Sequence, residues 1–173
     1  MLSWVKFGLI AVLSLTMVVV PVNLAEDKPQ QVAAWATPPT VRVCYNAPVF
    51  RLQVQRALSF WEDLGYKFGT IIWDDSSAWC TGDTYLGSIT IMPNRTDLGT
   101  GTLGRTTRYT YKNKLITGAK IEVTRQGSAR ELLLEHELGH ALGWPHHRVE
   151  GHIMHPILPR SGRDTTGLKN RQK

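Results

Sequence analysis

All six histidines of this 173-residue chain lie in one 20-residue window, from His136 to His155. Random placement would rarely concentrate six residues of one type so strongly. Neutral imidazoles gathered in one place are the ligands that borderline-soft metal ions prefer. The chain is therefore expected to fold around a metal site, and this requirement constrains where its helices and turns can lie.

Length and composition are those of an ordinary globular domain. Hydrophobic residues make up 42% and charged residues 20% of the chain, which argues against a disordered tail, a collagen-like fibre and a multi-span membrane protein. The net charge is +6, and residues 158–173 hold five basic residues and one acidic residue, so +4 of it lies there. A basic terminus of this kind is usually solvated.

The first 25 residues are predicted to be an export signal or an uncleaved membrane anchor. Lys6 precedes residues 7–22 (FGLIAVLSLTMVVVPV), which carry no charge. This run is shorter than the roughly 20 residues that a spanning helix needs, and small residues near Ala25 are typical of an export signal. Asn23 makes a poor cleavage site, so the anchor stays as the alternative. A secreted, periplasmic or membrane-anchored extracytoplasmic protein is expected.

Residues 26–40 are predicted to be a linker, and residues 41–173 the folded body. The linker is polar at its start and ends in Pro38 and Pro39, which interrupt regular structure. The body is long enough to bury one core.

The body is predicted to be a mixed α/β domain with the order β-α-β-β-β-β-α. Alternating apolar residues and β-favouring side chains predict five strands, at residues 41–45, 66–73, 88–92, 106–111 and 116–124. Apolar residues at helical spacing predict a first helix between Pro48 and Gly65. A second helix is predicted to start at a capping box, Ser128 to Glu131, and to end at Gly143.

The second helix carries the pattern HELGH, residues 136–140. Residues four apart share a helix face, so His136 and His140 can both direct a ring nitrogen at one ion. Zinc with an open position lowers the pKa of bound water to about 7. Glu137, one step round from His136, can take that water's proton and deliver it to a leaving amine. The pattern therefore predicts metal-assisted hydrolysis with Glu137 as the general base.

His146 completes the longer pattern H-E-x-x-H-x-x-G-x-x-H. A continued helix would carry His146 away from the ion, but Gly143 in a left-handed conformation can turn the chain back. One zinc ion is predicted, with His136, His140 and His146 as ligands; the pattern makes no prediction about structural calcium. His147 is the alternative ligand if His146 points away.

The remaining histidines are predicted to lie on the surface. His147 directly follows the third ligand and is expected to face solvent. His152 and His155 are expected to be flanking surface residues, with assistance in substrate binding as the alternative. Glu135 and Glu150 are expected to be solvated or to lie behind the ligands rather than to act in catalysis.

Residues 136–146 (HELGHALGWPH) and 153–156 (IMHP) resemble the metzincin clan of zinc metallopeptidases. In that clan a methionine in a tight turn lies beneath the zinc ligands, and Met154 matches it in position. Pro156 stands where astacins and serralysins have a tyrosine ligand, which favours a matrixin-like pocket.

The resemblance also implies a fold and a mode of substrate binding. Clan members have a twisted five-stranded sheet, mostly parallel with one antiparallel edge strand, a helix after strand 1, an active-site helix and a small C-terminal subdomain with the Met-turn. Residues 102–109 would be the edge strand, and Pro156 would form one wall of the pocket after the scissile bond. Substrate backbone would add to the edge strand as a further strand, at Leu103, Gly104, Arg105 and Thr106.

Cys44 and Cys80 are expected to form a disulfide bond if the chain is exported, because disulfides persist in oxidising compartments. Two separate thiols are the alternative. Neither cysteine lies near the zinc motif in sequence, so metal ligation by sulfur is not expected.

These features together favour a monomeric, exported zinc endopeptidase that acts on a peptide or protein. A non-catalytic zinc-binding surface or adhesion module is the alternative, although such a site has no use for Glu137. A metal-dependent endoribonuclease is less favoured. Bacterial RNA-maturation enzymes have a similar three-histidine motif, but they are cytoplasmic and carry another residue where Glu137 stands. No nucleic-acid partner is expected, since the basic tail has no aromatic residue to stack on bases.

Overall fold

The computed structural model describes residues 28–76, 80, 86–94, 101–112 and 114–169. The predicted export signal or anchor lies outside these residues. Within the described ranges, no helix is both long enough and apolar enough to cross a membrane.

A mixed sheet of six strands forms the framework of the domain. The strands are β1 Ala34–Trp35, β2 Thr40–Cys44, β3 Ile71–Asp75, β4 Ser88–Pro93, β5 Gly104–Tyr111 and β6 Leu115–Val123. Their order is β1-β6-β4-β2-β3, with β5 beside β6. β5 runs antiparallel to β6, and the other pairs are parallel. The α/β architecture is thus the expected one, with six strands instead of five.

The additional strand, β1, lies in the segment predicted to be a linker. Ala34 and Trp35 pair with Leu115 and Ile116 at the start of β6. Trp35 and the neighbouring Ala33 are buried. Two residues of extended chain show no periodicity in sequence, so this strand could not be predicted from the pattern. Residues 31–35 pack on the body instead of standing apart from it.

The predicted strand at residues 66–73 begins only at Ile71. Tyr66 instead closes the end of the first helix, because its backbone N–H donates to Trp61 O. The backbone N–H of Gly69 donates to Pro39 O. These bonds to the helix and to the preceding loop take the backbone groups that a sheet ladder would need.

Helix α1, Arg51–Glu62, buries one face against the domain. Val54, Ala57, Leu58 and Trp61 are its buried residues, and their spacing of three, one and three positions is that of one helical stripe. The indole Nε1 of Trp61 donates to the backbone oxygen of Glu135 at 2.8 Å. Helix α1 therefore supports the helix that carries the histidine motif.

The helix that carries the motif begins later than predicted, and the capping box at Ser128 is wrong. Helix α2, Arg125–Ser128, comes first, and its N-cap is Thr124, whose hydroxyl accepts from the backbone N–H of Gly127. Helix α3 is Leu133–Ala141. Leu132 has φ of 63°, outside the right-handed helical region, so the chain turns between the two helices.

Helix α3 is enclosed on nearly all sides. Its residues from Leu133 to Gly139, and Ala141, are all buried. Packing against α1, β5 and β6 surrounds it. A helix held in this way presents its side chains in fixed positions, which a metal site requires.

The two cysteines are joined as the disulfide Cys44–Cys80, with their Cα atoms 5.7 Å apart. The bond connects the end of β2 to the chain beyond β3 and packs beside the buried Met92. The two sulfurs are bonded to each other, and both cysteines are remote from the histidine motif in sequence.

Candidate metal centre

Three of the histidines converge on one point. His136 and His140 extend from α3, and His146 follows it; one ring nitrogen of each lies within 4.8 Å of the others. Gly143 makes this possible, because its φ of 101° is accessible to glycine and strained for other residues. A Cβ at Gly143 would also overlap the backbone oxygen of Ala33. The structure thus brings together the three residues that were predicted as ligands.

Backbone carbonyls hold the rings of His136 and His140. The Nδ1 of His136 donates to Ile153 O at 2.8 Å, and the Nδ1 of His140 donates to Trp144 O at 2.7 Å. Because a carbonyl oxygen only accepts, each Nδ1 carries the proton and each Nε2 presents a lone pair.

The two Nε2 atoms of His136 and His140 are 3.1 Å apart. Two lone pairs at this distance repel each other. Tetrahedral zinc, with Zn–N distances of about 2.0–2.1 Å, separates two ligand nitrogens by about 3.3–3.4 Å. The spacing therefore fits a cation shared by both rings.

Burial keeps these imidazoles neutral, which is the form that binds a metal. Desolvation lowers the pKa of His136 to about 4 and the pKa of His140 to about 3, against an ordinary 6.5. Desolvation also lowers the pKa of His146, which is the most exposed of the three. The lowered pKa values mean that these rings bind a metal cation more readily than a proton.

Glu137 is buried beside the triad and faces β5. The hydroxyl of Thr106 lies 2.6 Å from its Oε2 and 3.0 Å from its backbone oxygen. A Cβ at Gly104 would lie 2.9 Å from its Oε1, so the absence of a side chain there makes room for the carboxyl group. Burial raises the pKa of Glu137 to about 7, and the Thr106 hydrogen bond opposes this shift. A carboxyl group with a pKa near neutrality can both accept and return a proton.

The triad and Glu137 line an open cleft with a volume of about 400 Å³. One wall is formed by residues 102–106, which include the four residues predicted to bind substrate backbone. The facing residues of the Met154 turn are His155, Pro156 and Leu158. The volume lies in the range of small-molecule and peptide side-chain sites.

Met154 is fully buried under α3, in a space that Gly139 leaves open. A Cβ at Gly139 would overlap the sulfur of Met154 and would lie 2.7 Å from Cζ2 of Trp61. The sequence reasoning missed Gly139. The signal was present, because a glycine inside a helix costs about 1 kcal/mol relative to alanine and needs a packing reason.

Two of the histidines predicted to lie on the surface are buried, so that prediction is wrong for them. His152 is 0% and His155 6% exposed. His152 accepts from the backbone N–H of Met154 at Nδ1 and donates to Thr166 O from Nε2, so both of its nitrogens are used. The ring of His147 packs against that of His152, with centroids 4.6 Å apart. Within the described residues, neither ring belongs to the metal-binding group.

Side chains that were not predicted from the sequence donate hydrogen bonds to the backbone oxygens at the C-terminal end of α3. Arg108 of β5 donates to His140 O at 2.5 Å. The carbonyls that end a helix lack partners within it. Two more of them are satisfied from the segment before β2, by Trp35 Nε1 to Ala141 O and by Gln31 Nε2 to Leu142 O.

Glu135 lies behind the histidine triad and is almost fully buried, with 1% of its surface exposed. Its Oε1 pairs with Nε of Arg56 on α1 at 2.9 Å. Its role is therefore to join α1 to α3, and it takes no part in lining the cleft.

When the chain is compared with known protein families, it matches one of them. The matrixin family model matches residues 57–172 of the 173-residue chain, a range that includes the histidine triad, Glu137 and Met154. No curated protein matches the chain with significant similarity. A match over most of the chain, with a three-histidine site inside it, shows that the chain belongs to the matrixin family of zinc metallopeptidases.

Proposed function

We propose that the protein is an exported zinc endopeptidase that hydrolyses peptide bonds, with residues 41–173 as its catalytic domain. One observation carries the proposal: the buried carboxyl group of Glu137 stands beside a convergent histidine triad in an open cleft. A purely structural zinc site has four protein ligands and no use for such a carboxyl group.

His136, His140 and His146 would hold one zinc ion. The first two would bind it through Nε2, since their Nδ1 atoms are occupied by Ile153 O and Trp144 O. When bound, zinc with an open coordination position polarises a peptide carbonyl and acidifies a water molecule. The protein supports this chemistry by holding the rings in one tautomer and by keeping them neutral.

Glu137 would act as general base and then as general acid. The attacking water forms a bond from its oxygen to the carbonyl carbon and passes a proton to the carboxylate. That proton moves to the amine nitrogen as the C–N bond breaks. Thr106 would hold the carboxyl group in place through its 2.6 Å hydrogen bond. The missing side chain at Gly104 would leave room for that carboxyl group.

The substrate backbone would lie along β5. Among the described strands β5 is bonded to β6 alone, so its second edge is open for strand addition. Leu103, Gly104, Arg105 and Thr106 would bind the extended peptide, and Pro156 would close the pocket on the opposite side. Met154 would support the ligand helix from beneath, through its contact with Gly139.

An extracytoplasmic, monomeric protein is part of the proposal. The Cys44–Cys80 disulfide supports the extracytoplasmic location, because such bonds persist mainly in oxidising compartments. Residues 1–25 would be the export signal or would remain as a membrane anchor.

The test compares zinc-loaded wild type with Glu137→Gln on a library of unstructured peptides. Glutamine keeps the size of the side chain and an oxygen for the Thr106 hydroxyl, but it cannot accept the water's proton. We expect equal zinc content and turnover lower by about 10²- to 10⁴-fold.

Each other result contradicts a defined part of the proposal. Equal turnover by both proteins would exclude Glu137 as the base. Equal zinc binding without turnover by either would identify a non-catalytic zinc-binding module. If neither protein cuts peptides, both are assayed on RNA, and RNA cleavage that survives the substitution would identify a nuclease.

A further inference from the structure

His155 places a polar group in the cleft that the proposed mechanism does not use. The residue is 6% exposed and lines the same cleft as the triad and Glu137. It follows Met154 directly in the chain, yet it is not part of the metal-binding group.

The hydrogen bonds of His155 determine which ring nitrogen carries the proton. The backbone N–H of Ile157 donates to Nδ1 at 3.0 Å. Nδ1 also lies 3.1 Å from Ile157 O. A proton on Nδ1 would, however, point at the hydrogen of the Ile157 N–H, whose direction is fixed by the backbone, and the two hydrogens would repel each other. The neutral ring therefore carries its proton on Nε2, which is a hydrogen-bond donor.

The backbone of His155 is anchored on both sides, so the ring has a defined position. Its N–H donates to His152 O at 3.0 Å, and its carbonyl oxygen accepts from the hydroxyl of Ser161 at 3.1 Å. A donor on such a rigid element is oriented before any ligand binds, which favours selective recognition.

The Nε2 of His155 makes no hydrogen bond to any residue that the structure describes. The cleft that His155 lines also has four apolar lining residues, Leu103, Leu133, Pro156 and Leu158. Water can satisfy the donor while the cleft is open. A substrate side chain that displaces this water either supplies an acceptor or leaves the N–H unpaired.

We propose that His155 determines substrate specificity, by selecting a substrate residue that has an apolar stem and a terminal hydrogen-bond acceptor, with glutamine as the simplest case. This inference rests on the proposed peptidase function. Methionine has nearly the same length and shape as glutamine but lacks the amide oxygen, so it measures the contribution of the acceptor alone.

The test uses the full chain, loaded with zinc, and internally quenched peptides based on a sequence that it cuts. Glutamine or methionine is placed in turn at each position around the cleaved bond. At one position we expect kcat/KM for glutamine to exceed that for methionine by roughly 10- to 100-fold, the usual penalty for leaving a buried donor unpaired.

Two variants identify the residue responsible for this ratio. His155→Phe keeps a ring but removes the donor, and the glutamine-to-methionine ratio should fall towards one. His155→Gln places an amide N–H near the position of Nε2, and part of the ratio should return. Zinc content is measured for each protein.

Each contrary result has one meaning. A ratio that is the same in wild type and His155→Phe at every position, with cleavage still dependent on Glu137, overturns this inference and leaves the proposed function intact. Loss of zinc from His155→Phe would show that His155 takes part in metal binding. This result would also overturn the inference. Absence of any Glu137-dependent cleavage overturns the proposed function and this inference together.

Discussion

The indole Nε1 of Trp35 donates a hydrogen bond to the carbonyl oxygen of Ala141, 3.0 Å away, in the last residue of helix α3, which carries His136 and His140. Trp35 belongs to a segment whose polar start and paired prolines predicted a linker. The side chain is buried, and the preceding Ala33 lies against Gly143, where the chain turns towards the third histidine. The segment before the body therefore helps to set the position of the three predicted metal ligands.

Trp35→Phe should destabilise the domain. The ring remains apolar, but the Ala141 carbonyl loses its donor, and an unpaired buried carbonyl costs about 1–3 kcal/mol. Urea unfolding at matched zinc content measures the loss. Val32→Ala in the same segment is the control, because the Val32 side chain is 49% exposed and should change stability by less than about 0.5 kcal/mol. Equal stability of Trp35→Phe and wild type would show that the contact is dispensable.

Gly139→Ala should destabilise the protein, although alanine normally favours a helix interior over glycine by about 1 kcal/mol. The added Cβ would overlap the sulfur of Met154 and would press on Trp61. Overpacking of a core costs about 1–3 kcal/mol, which reverses the usual sign.

A double-mutant cycle on Gly139 and Met154 checks this cause. Met154→Ala removes the sulfur from the space beside Gly139 and leaves only the close contact with Trp61. The further change Gly139→Ala should therefore cost less than it does in the wild type, which gives strong coupling between the two positions. Urea unfolding of the four proteins measures it. Additive effects, or stabilisation by Gly139→Ala alone, would contradict the packing argument.

Thr106→Val should lower kcat with little change in zinc content. Valine has the shape of threonine but lacks the hydroxyl that holds Oε2 of Glu137 at 2.6 Å. Loss of one orienting hydrogen bond of about 1 kcal/mol corresponds to roughly a fivefold effect. Steady-state kinetics with zinc analysis measures both quantities, and Thr106→Ser, which restores a hydroxyl, should recover most of the rate. A matching loss in Thr106→Ser would assign the effect to packing instead.

Tyr66 should make the fold weaker at alkaline pH. Burial raises its pKa to about 12 from an ordinary 10, while its hydroxyl accepts from Trp144 Nε1 at 2.8 Å and donates to Leu168 O at 3.2 Å. Between these two pH values the unfolded chain loses the phenol proton and the folded chain keeps it. The free energy of unfolding must therefore fall as the pH rises from about 10 to 12.

Tyr66→Phe isolates this contribution, because it lacks the titrating group. Its stability at neutral pH should be lower through the lost hydrogen bonds, but the difference from wild type should shrink as the pH rises. Urea unfolding between pH 9 and 11.5 checks this. A difference that stays constant over the range would contradict the shifted pKa.

The sequence alone determined the local part of the site. His136, Glu137 and His140 share one short helix, so their relative positions follow from helical geometry, and Gly143 indicates the turn that brings His146 back. The match to the matrixin family follows from the same motif and its surroundings. The disulfide Cys44–Cys80 could also be anticipated, because the chain has two cysteines and a predicted export segment.

Only the tertiary structure decided the rest, because those features join residues that are distant in the chain. Thr106 reaches Glu137 across 31 positions, and Trp35 reaches Ala141 across 106. The burial of His155, the space that Gly139 leaves for Met154, and the start of α3 after Leu132 likewise depend on which elements pack together. Local spacing encodes the direction of a side chain along its own helix or strand, whereas its burial and partners depend on packing between elements that local spacing does not record.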